Sequence, residues 1–163
     1  MNTLPDDVVL INGAGQRENH QLCVMTAVAW AAGEPHSDAP ECACPVAARI
    51  AIRINDGKWW KDDAERTAAL LPLVPRLVGS RASREVTIAR ARLAARWALE
   101  TAAPRSLEVF AGLMTDQGEA NELRAWATKL RRDPRAQVAR DAASAARAIA
   151  SRRWTAAAAA AWR

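Results

Sequence analysis

Apolar residues along this chain recur at steps of three and four rather than at alternate positions, a spacing that predicts helices. Leu22, Met25, Ala29 and Ala32 fall on one side of a helix over 21–32 that Gly33 ends. Pro45 suits the first position of a second helix, which carries Val46, Arg49, Ile50 and Arg53 and stops at Asn55, Asp56 and Gly57. Asp62, Asp63 and Glu65 supply the acidic first turn of a third, which fades around Leu71 because Pro72 and Pro75 cannot continue the ladder. Ser83 opens a longer fourth helix whose Val86, Ala89, Leu93 and Trp97 form a one-sided apolar face running on towards Glu100. Pro104 restarts the chain for a short helix through Leu107, Val109 and Phe110, closed by Gly112. Asp116 to Arg132 is the next, with Leu123, Trp126 and Leu130 at helical spacing. Asp133 and Pro134 then read as N-cap and first residue of a final helix carrying Val138, Ala142, Ala145 and Ile149. At roughly 29 residues it spans about 43 Å.

Residues outside these helices form two segments. Residues 1–20 read as an N-terminal arm in which Val8 to Ile11 make a short strand or dock on the core, broken by Asn12 to Gly15. Residues 34–45 form an ordered loop containing Pro35, Pro40 and Pro45. The fold expected is all-α: a short arm (1–20), a compact multi-helix core (21–132), and a long Ala/Arg-rich C-terminal helix (133–163) packed on the core or projecting from it. Composition agrees, since alanine is abundant and β-branched residues are sparse. With 163 residues, 50% of them hydrophobic, the chain can bury one ordinary core. Trp30, Trp97 and Trp126 lie on apolar helix faces and are expected inside.

Charge changes the picture, because the net +5 is unevenly placed. Residues 1–80 hold 7 basic and 10 acidic side chains, a net −3, whereas residues 81–163 hold 16 and 8, a net +8. A basic half attracts nucleic acid, an acidic protein surface or anionic lipid. Arg84, Arg92 and Arg96 flank the fourth helix, and Arg131, Arg132, Arg135, Arg140, Arg147, Arg152 and Arg153 make a cationic run with Trp154 among them. Residues Met1 to Val9 include Asp6 and Asp7 and lack the cationic and apolar regions of a secretion signal. Three cysteines, an odd number, fit free thiols in a reducing compartment, so the cytoplasm is the expected location. The stretch from Ala156 to Trp162 is too short to span a membrane.

The segment from Cys23 through Ala32-Gly-Glu-Pro-His-Ser-Asp38 to Pro40-Glu-Cys42, followed by Pro45-Val46, Asn55-Asp56 and Leu71-Pro-Leu-Val-Pro-Arg-Leu-Val-Gly79, resembles a family of small proteins of actinobacteria, other high-GC bacteria and their phages. The resemblance covers about residues 22–113 and implies no established activity. The chain departs from the family pattern at Ala39, where a histidine is expected, and at Trp59-Trp60, which replaces a smaller loop.

Several constellations suggest chemistry. Cys23, His36, Cys42 and Cys44 have the residue types of a closed zinc site, but Cys-x-Cys is not the usual knuckle spacing and buried structural thiols explain them better. Cys42 or Cys44 with His36 or His20, and Asp38 to orient them, are the right types for thiol catalysis without a supporting signature. Val8 to Gly15 imitates the opening of a dinucleotide fold, but Glu18 stands where a third glycine belongs. No cofactor is expected. Trp59 and Trp60, between Lys58 and Lys61, are the preferred partner-binding residues, because adjacent indoles before a helix cannot both point inward. The expectation is a non-enzymatic helical interaction protein, phage- or mobile-element-borne, that binds and perhaps inhibits a larger assembly such as a host defence complex. The alternatives are a nucleic-acid-binding accessory protein using the basic half, and a small zinc or thiol protein.

Overall fold

The computed structural model describes residues 2–161, with side chains over 2–153. It is 66% helix and 4% strand, so the helical reading holds and one small sheet is added to it. The chain forms two compact units, Met1–Ala91 and Arg92–Arg163, and the division falls within a helix.

In the first unit, β1 (Val9–Leu10), β2 (Gly15–Gln16) and β3 (Gln21–Leu22) make a sheet in the order β1-β3-β2. The central β3 runs parallel to β1, with Leu10 opposite Leu22, and antiparallel to β2. The segment read as an arm is therefore part of the core: Val8, Leu10 and Leu22 are buried. Helix α1 (Val24–Ala32) starts at Val24 rather than at residue 21, because Gln21 and Leu22 are held in the sheet. It is buried almost all round, and Gly33 closes it in the left-handed conformation, as the sequence suggests. Helices α2 (Pro45–Asn55), α3 (Asp63–Leu70) and α4 (Val74–Leu77) follow, with a 3₁₀ turn over Leu71–Leu73 where Pro72 breaks the ladder. The Asp62 carboxylate accepts the Glu65 N–H at 2.8 Å, and the Glu65 side chain reaches back to the Lys61 N–H at 2.7 Å. This reciprocal cap fixes where α3 begins.

Three polar side chains are buried in this unit: Thr26, Asn55 and Arg66. Asn55 accepts the Val24 N–H and donates to the Ile11 carbonyl, and Arg66 Nε donates to the Asn55 carbonyl at 2.9 Å and Nη1 to the Leu10 carbonyl at 3.2 Å. Thr67 Oγ1 receives the Leu10 N–H at 2.8 Å. These bonds tie the sheet to α1, α2 and α3, and leave few backbone groups at their junction unpaired.

Helix α5 (Arg84–Trp97) contains the division between the units. The Ser83 carbonyl accepts the Thr87 N–H at its start, where the sequence places it. Sequence reasoning expects Pro104 to restart the chain, yet the backbone runs on through a π-helical turn, Ala98–Ala102, into α6 (Ala103–Gly112). Proline lacks an N–H and crowds the carbonyl four residues earlier; widening the preceding turn removes that clash without ending the helix.

The second unit continues with α7 (Gln117–Arg132) and α8 (Ala136–Ala161). The final helix begins at Ala136, not at Asp133–Pro134. The Asp133 N–H closes α7 on the Lys129 carbonyl at 2.9 Å, while its carboxylate is held by Arg135 Nε at 2.6 Å and is not available to cap α8. The helix has 26 residues, about 39 Å. Leu107, Ala111, Leu123, Ala127, Ala142 and Ile149 form the core of this unit, with Phe110, Met114 and Trp126 packed against it.

The alanines of α8 leave a hollow of about 430 Å³ beside Leu107, Phe110 and Leu130, lined by Ala139, Ala142, Ala143 and Ala146. Ala143→Leu should fill part of it and raise the unfolding free energy by about 1 kcal/mol. A urea titration reads this as a higher midpoint; an unchanged or lower one means the added side chain stays in water or strains the helix.

Candidate protein-docking surface

A helix inside a small domain normally hides its apolar face, and α5 does not: none of its residues is buried. The stripe read as core, Val86, Ala89, Leu93 and Trp97, is exposed, and Trp97 is thereby corrected from a core residue to a surface one. Helical spacing reveals that a face is apolar, not that anything in the same chain covers it. Trp30 and Trp126 are half-buried at the edges of their cores. Each indole carries a cation, Arg17 at 4.8 Å from the Trp30 ring and Lys129 at 4.6 Å from that of Trp126.

In the second unit the exposed row extends across the π turn. Leu93 is 69% exposed, Trp97 60%, Val109 60% and Leu113 71%. Trp97, Ala102, Arg105, Val109, Phe110 and Leu113 border an open hollow of about 640 Å³. Phe110 is half-buried, joining this hollow to the core behind it. The opposite side of α6 is anchored by Leu107 and Ala111, so the row is displayed on a packed support. Sequence reasoning missed Val109 and Leu113 as surface residues. Their i, i+4 spacing, with Arg105 one turn earlier, is the signal that could have shown a second stripe beside the buried one.

A smaller apolar hollow lies in the first unit, about 280 Å³, where Ile50, Ile54 and Leu73 are exposed next to Arg76. The tryptophan pair stands just beyond α2. Trp60 is half-buried, packed on the core, and its Nε1 donates to the Ile54 carbonyl at 2.8 Å. Trp59 is 65% exposed, with its ring lying over Gly57 where a β-carbon would collide with it. Lys58 and Lys61 are exposed on either side. The structure therefore separates the pair into one anchored and one displayed indole.

Most of the basic run is engaged with its own unit. Arg131 holds Glu108 through two bonds, one of 2.7 Å, Arg135 holds Asp133, and Arg152 and Arg153 both reach Glu119. Arg140 bonds Gln137 and Arg147 bonds Ser144, at 2.7 and 3.1 Å. Arg132 is exposed. The side chain of Trp154 lies outside the described residues. The hydrogen bond from Arg131 holds the Glu108 carboxyl below its ordinary range, with burial opposing it and the charges of Arg131 and Arg105 adding to it. The sign follows: stability from this pair is complete above the ordinary carboxylate range and is lost only as pH falls through the lowered value. Glu108→Gln should flatten the acid limb of a pH–stability curve, and an unaltered limb would exclude the pair as a contributor.

The three thiols and His36 lie in different surroundings. Cys23 is buried and its sulfur accepts the Thr26 N–H at 3.3 Å as the N-cap of α1. Burial pushes the half-buried Cys42 thiol up. Cys44 is buried before α2, where burial raises its thiol pKa but the Ala47 and Val46 N–H groups and Arg90 outweigh that and lower it. His36 is exposed. Among the described residues no three His, Cys, Asp or Glu side chains come close enough to hold a metal ion, so the zinc set of Cys23, His36, Cys42 and Cys44 is not assembled. The glycine-rich string leads into β2 and a 3₁₀ turn at Arg17–Asn19, where a phosphate-cradling helix is needed for the dinucleotide motif. Among the described residues no helix is long and apolar enough to cross a membrane. No family model matches the chain, and no curated protein or solved structure matches it either.

Proposed function

We propose that this chain is a non-enzymatic interaction protein that binds a larger macromolecular assembly through apolar surface displayed on its helices. The observation that carries the reading is the row Leu93, Trp97, Val109 and Leu113, all exposed, the last three around one hollow on a packed support. Contiguous exposed apolar surface is unfavourable in water unless a partner removes it, and tryptophan is enriched among residues that dominate binding energy. Trp59 is a second displayed indole.

The engagement of Arg131, Arg135, Arg152 and Arg153 with carboxylates supports a protein partner over nucleic acid, because each guanidinium has to leave its carboxylate to meet a phosphate. Within this reading, a host defence complex is the class of assembly proposed.

The test is quantitative capture from host extract with the wild type, a Leu93→Glu/Leu113→Glu variant and a Trp59→Ala variant. Loss of a hot-spot contact of about 2 kcal/mol reduces capture about thirtyfold in affinity. Unchanged capture in both variants, with their melting temperatures near wild type, overturns the reading.

A further inference from the structure

The arginines beside the exposed row bear on what covers it. On a helix, residues one position apart point about 100° from each other and residues four apart stack. Arg92 and Arg96 therefore form a row alongside Leu93 and Trp97, and Arg105 borders the hollow itself, one turn before Val109. Segment 92–113 also holds two acids, Glu100 and Glu108. Both are already satisfied: Glu100 by Arg96 at 2.9 and 3.0 Å, Glu108 by Arg131 of α7. Among the described residues neither Arg92 nor Arg105 is in an ion pair. The apolar row is thus bordered by two cations, Arg92 and Arg105, that stand outside any ion pair among the described residues, while Arg96 is met by Glu100.

Resting on the interaction reading above, we infer that the face from Leu93 to Leu113 binds an acidic amphipathic helix of a partner protein, its apolar side on Trp97, Val109 and Leu113 and its carboxylates on Arg92 and Arg105. The row covers five to six turns, about 30 Å, the length of a helix of about 20 residues. An indole beside a recess floored by Phe110 offers a seat for one large apolar anchor, as helix-in-groove recognition requires. A second copy of this chain fits poorly, because α5 against α5 opposes arginine to arginine. A bilayer meets protruding side chains rather than a hollow.

The probes are two labelled synthetic peptides of about 20 residues with the same Leu/Ile stripe, one flanked by Glu and one by Lys, titrated with the full chain and read by anisotropy. The Glu peptide should bind at least about tenfold more tightly at low salt, and the advantage should shrink as salt screens the rim. Arg92→Glu/Arg105→Glu should reverse the preference, while Leu93→Glu/Leu113→Glu should abolish binding of both. Equal affinity for the two peptides overturns the acidic partner and leaves a helix-binding face standing. Absence of binding overturns it too, and the interaction reading then stands or falls on the extract capture alone. Dimerisation in ultracentrifugation that Leu93→Glu abolishes assigns the face to a second copy. Flotation with phosphatidylglycerol vesicles but no peptide binding assigns it to lipid, and either result overturns the inference.

Discussion

Asn55→Leu should lower the unfolding free energy by about 3–5 kcal/mol, among the largest losses available to a single substitution here. The Asn55 side chain is fully buried at the end of α2. Its Oδ1 accepts the Val24 N–H at 3.2 Å, and Nδ2 donates to the Ile11 carbonyl at 2.8 Å and to Asp56 at 2.9 Å. Val24 is the first residue of α1, so its N–H has no partner within that helix. Leucine has the same branched skeleton of side-chain heavy atoms and occupies the space, but strands that N–H and the Ile11 carbonyl away from water. Each stranded group costs about 1–3 kcal/mol. Urea unfolding followed by tryptophan fluorescence measures the loss. A change under about 1 kcal/mol would mean that another group or a water takes over both bonds.

Gly15→Ala should cost about 3–5 kcal/mol, against about 1 for Gly13→Ala two residues earlier. Both glycines have positive φ, +72° and +81°, so each substitution places an L side chain in the left-handed region. The difference is what lies beyond. At Gly13 a β-carbon meets nothing within 4 Å, whereas at Gly15 it lies 2.7 Å from the Gln21 carbonyl carbon and 2.8 Å from the Leu22 α-carbon. Those are backbone atoms of the central strand, and relieving the clash means opening β2 from β3. Parallel urea titrations of the two variants give the comparison. Equal losses would show that the turn relaxes freely and that the close approach contributes nothing.

The glycines illustrate how far the sequence could be read. Gly13 and Gly15 are visible as a break after an apolar run, and the imitation of a nucleotide-binding loop is also visible. Their actual work, turning the chain so that β2 lies against β3, depends on a strand that begins six positions after Gly15 and on a pairing that no local pattern encodes. Two-residue strands are too short to show alternation, so β1 was legible as an apolar run that forms a strand or docks, and β2 and β3 were not legible at all. Asn55 and Arg66 show the same limit: the first reads as a helix stop and the second as one more arginine, and burial alone reveals their bonds.

Helix content, the capping of α3 and α7 by Asp62 and Asp116, the left-handed stop at Gly33 and the anchored-versus-displayed split of adjacent tryptophans follow from local chemistry: period, caps and the room beside a backbone. Tertiary structure decided what propensity leaves open. It carried the helix through Pro104 by a π turn, drew the N-terminal strands into the core, occupied Arg131, Arg152 and Arg153 with carboxylates, and left Leu93 and Trp97 outside. The reason is that an apolar stripe or a cation states what a residue needs, while only the packing of distant segments determines whether this chain supplies it or a partner must.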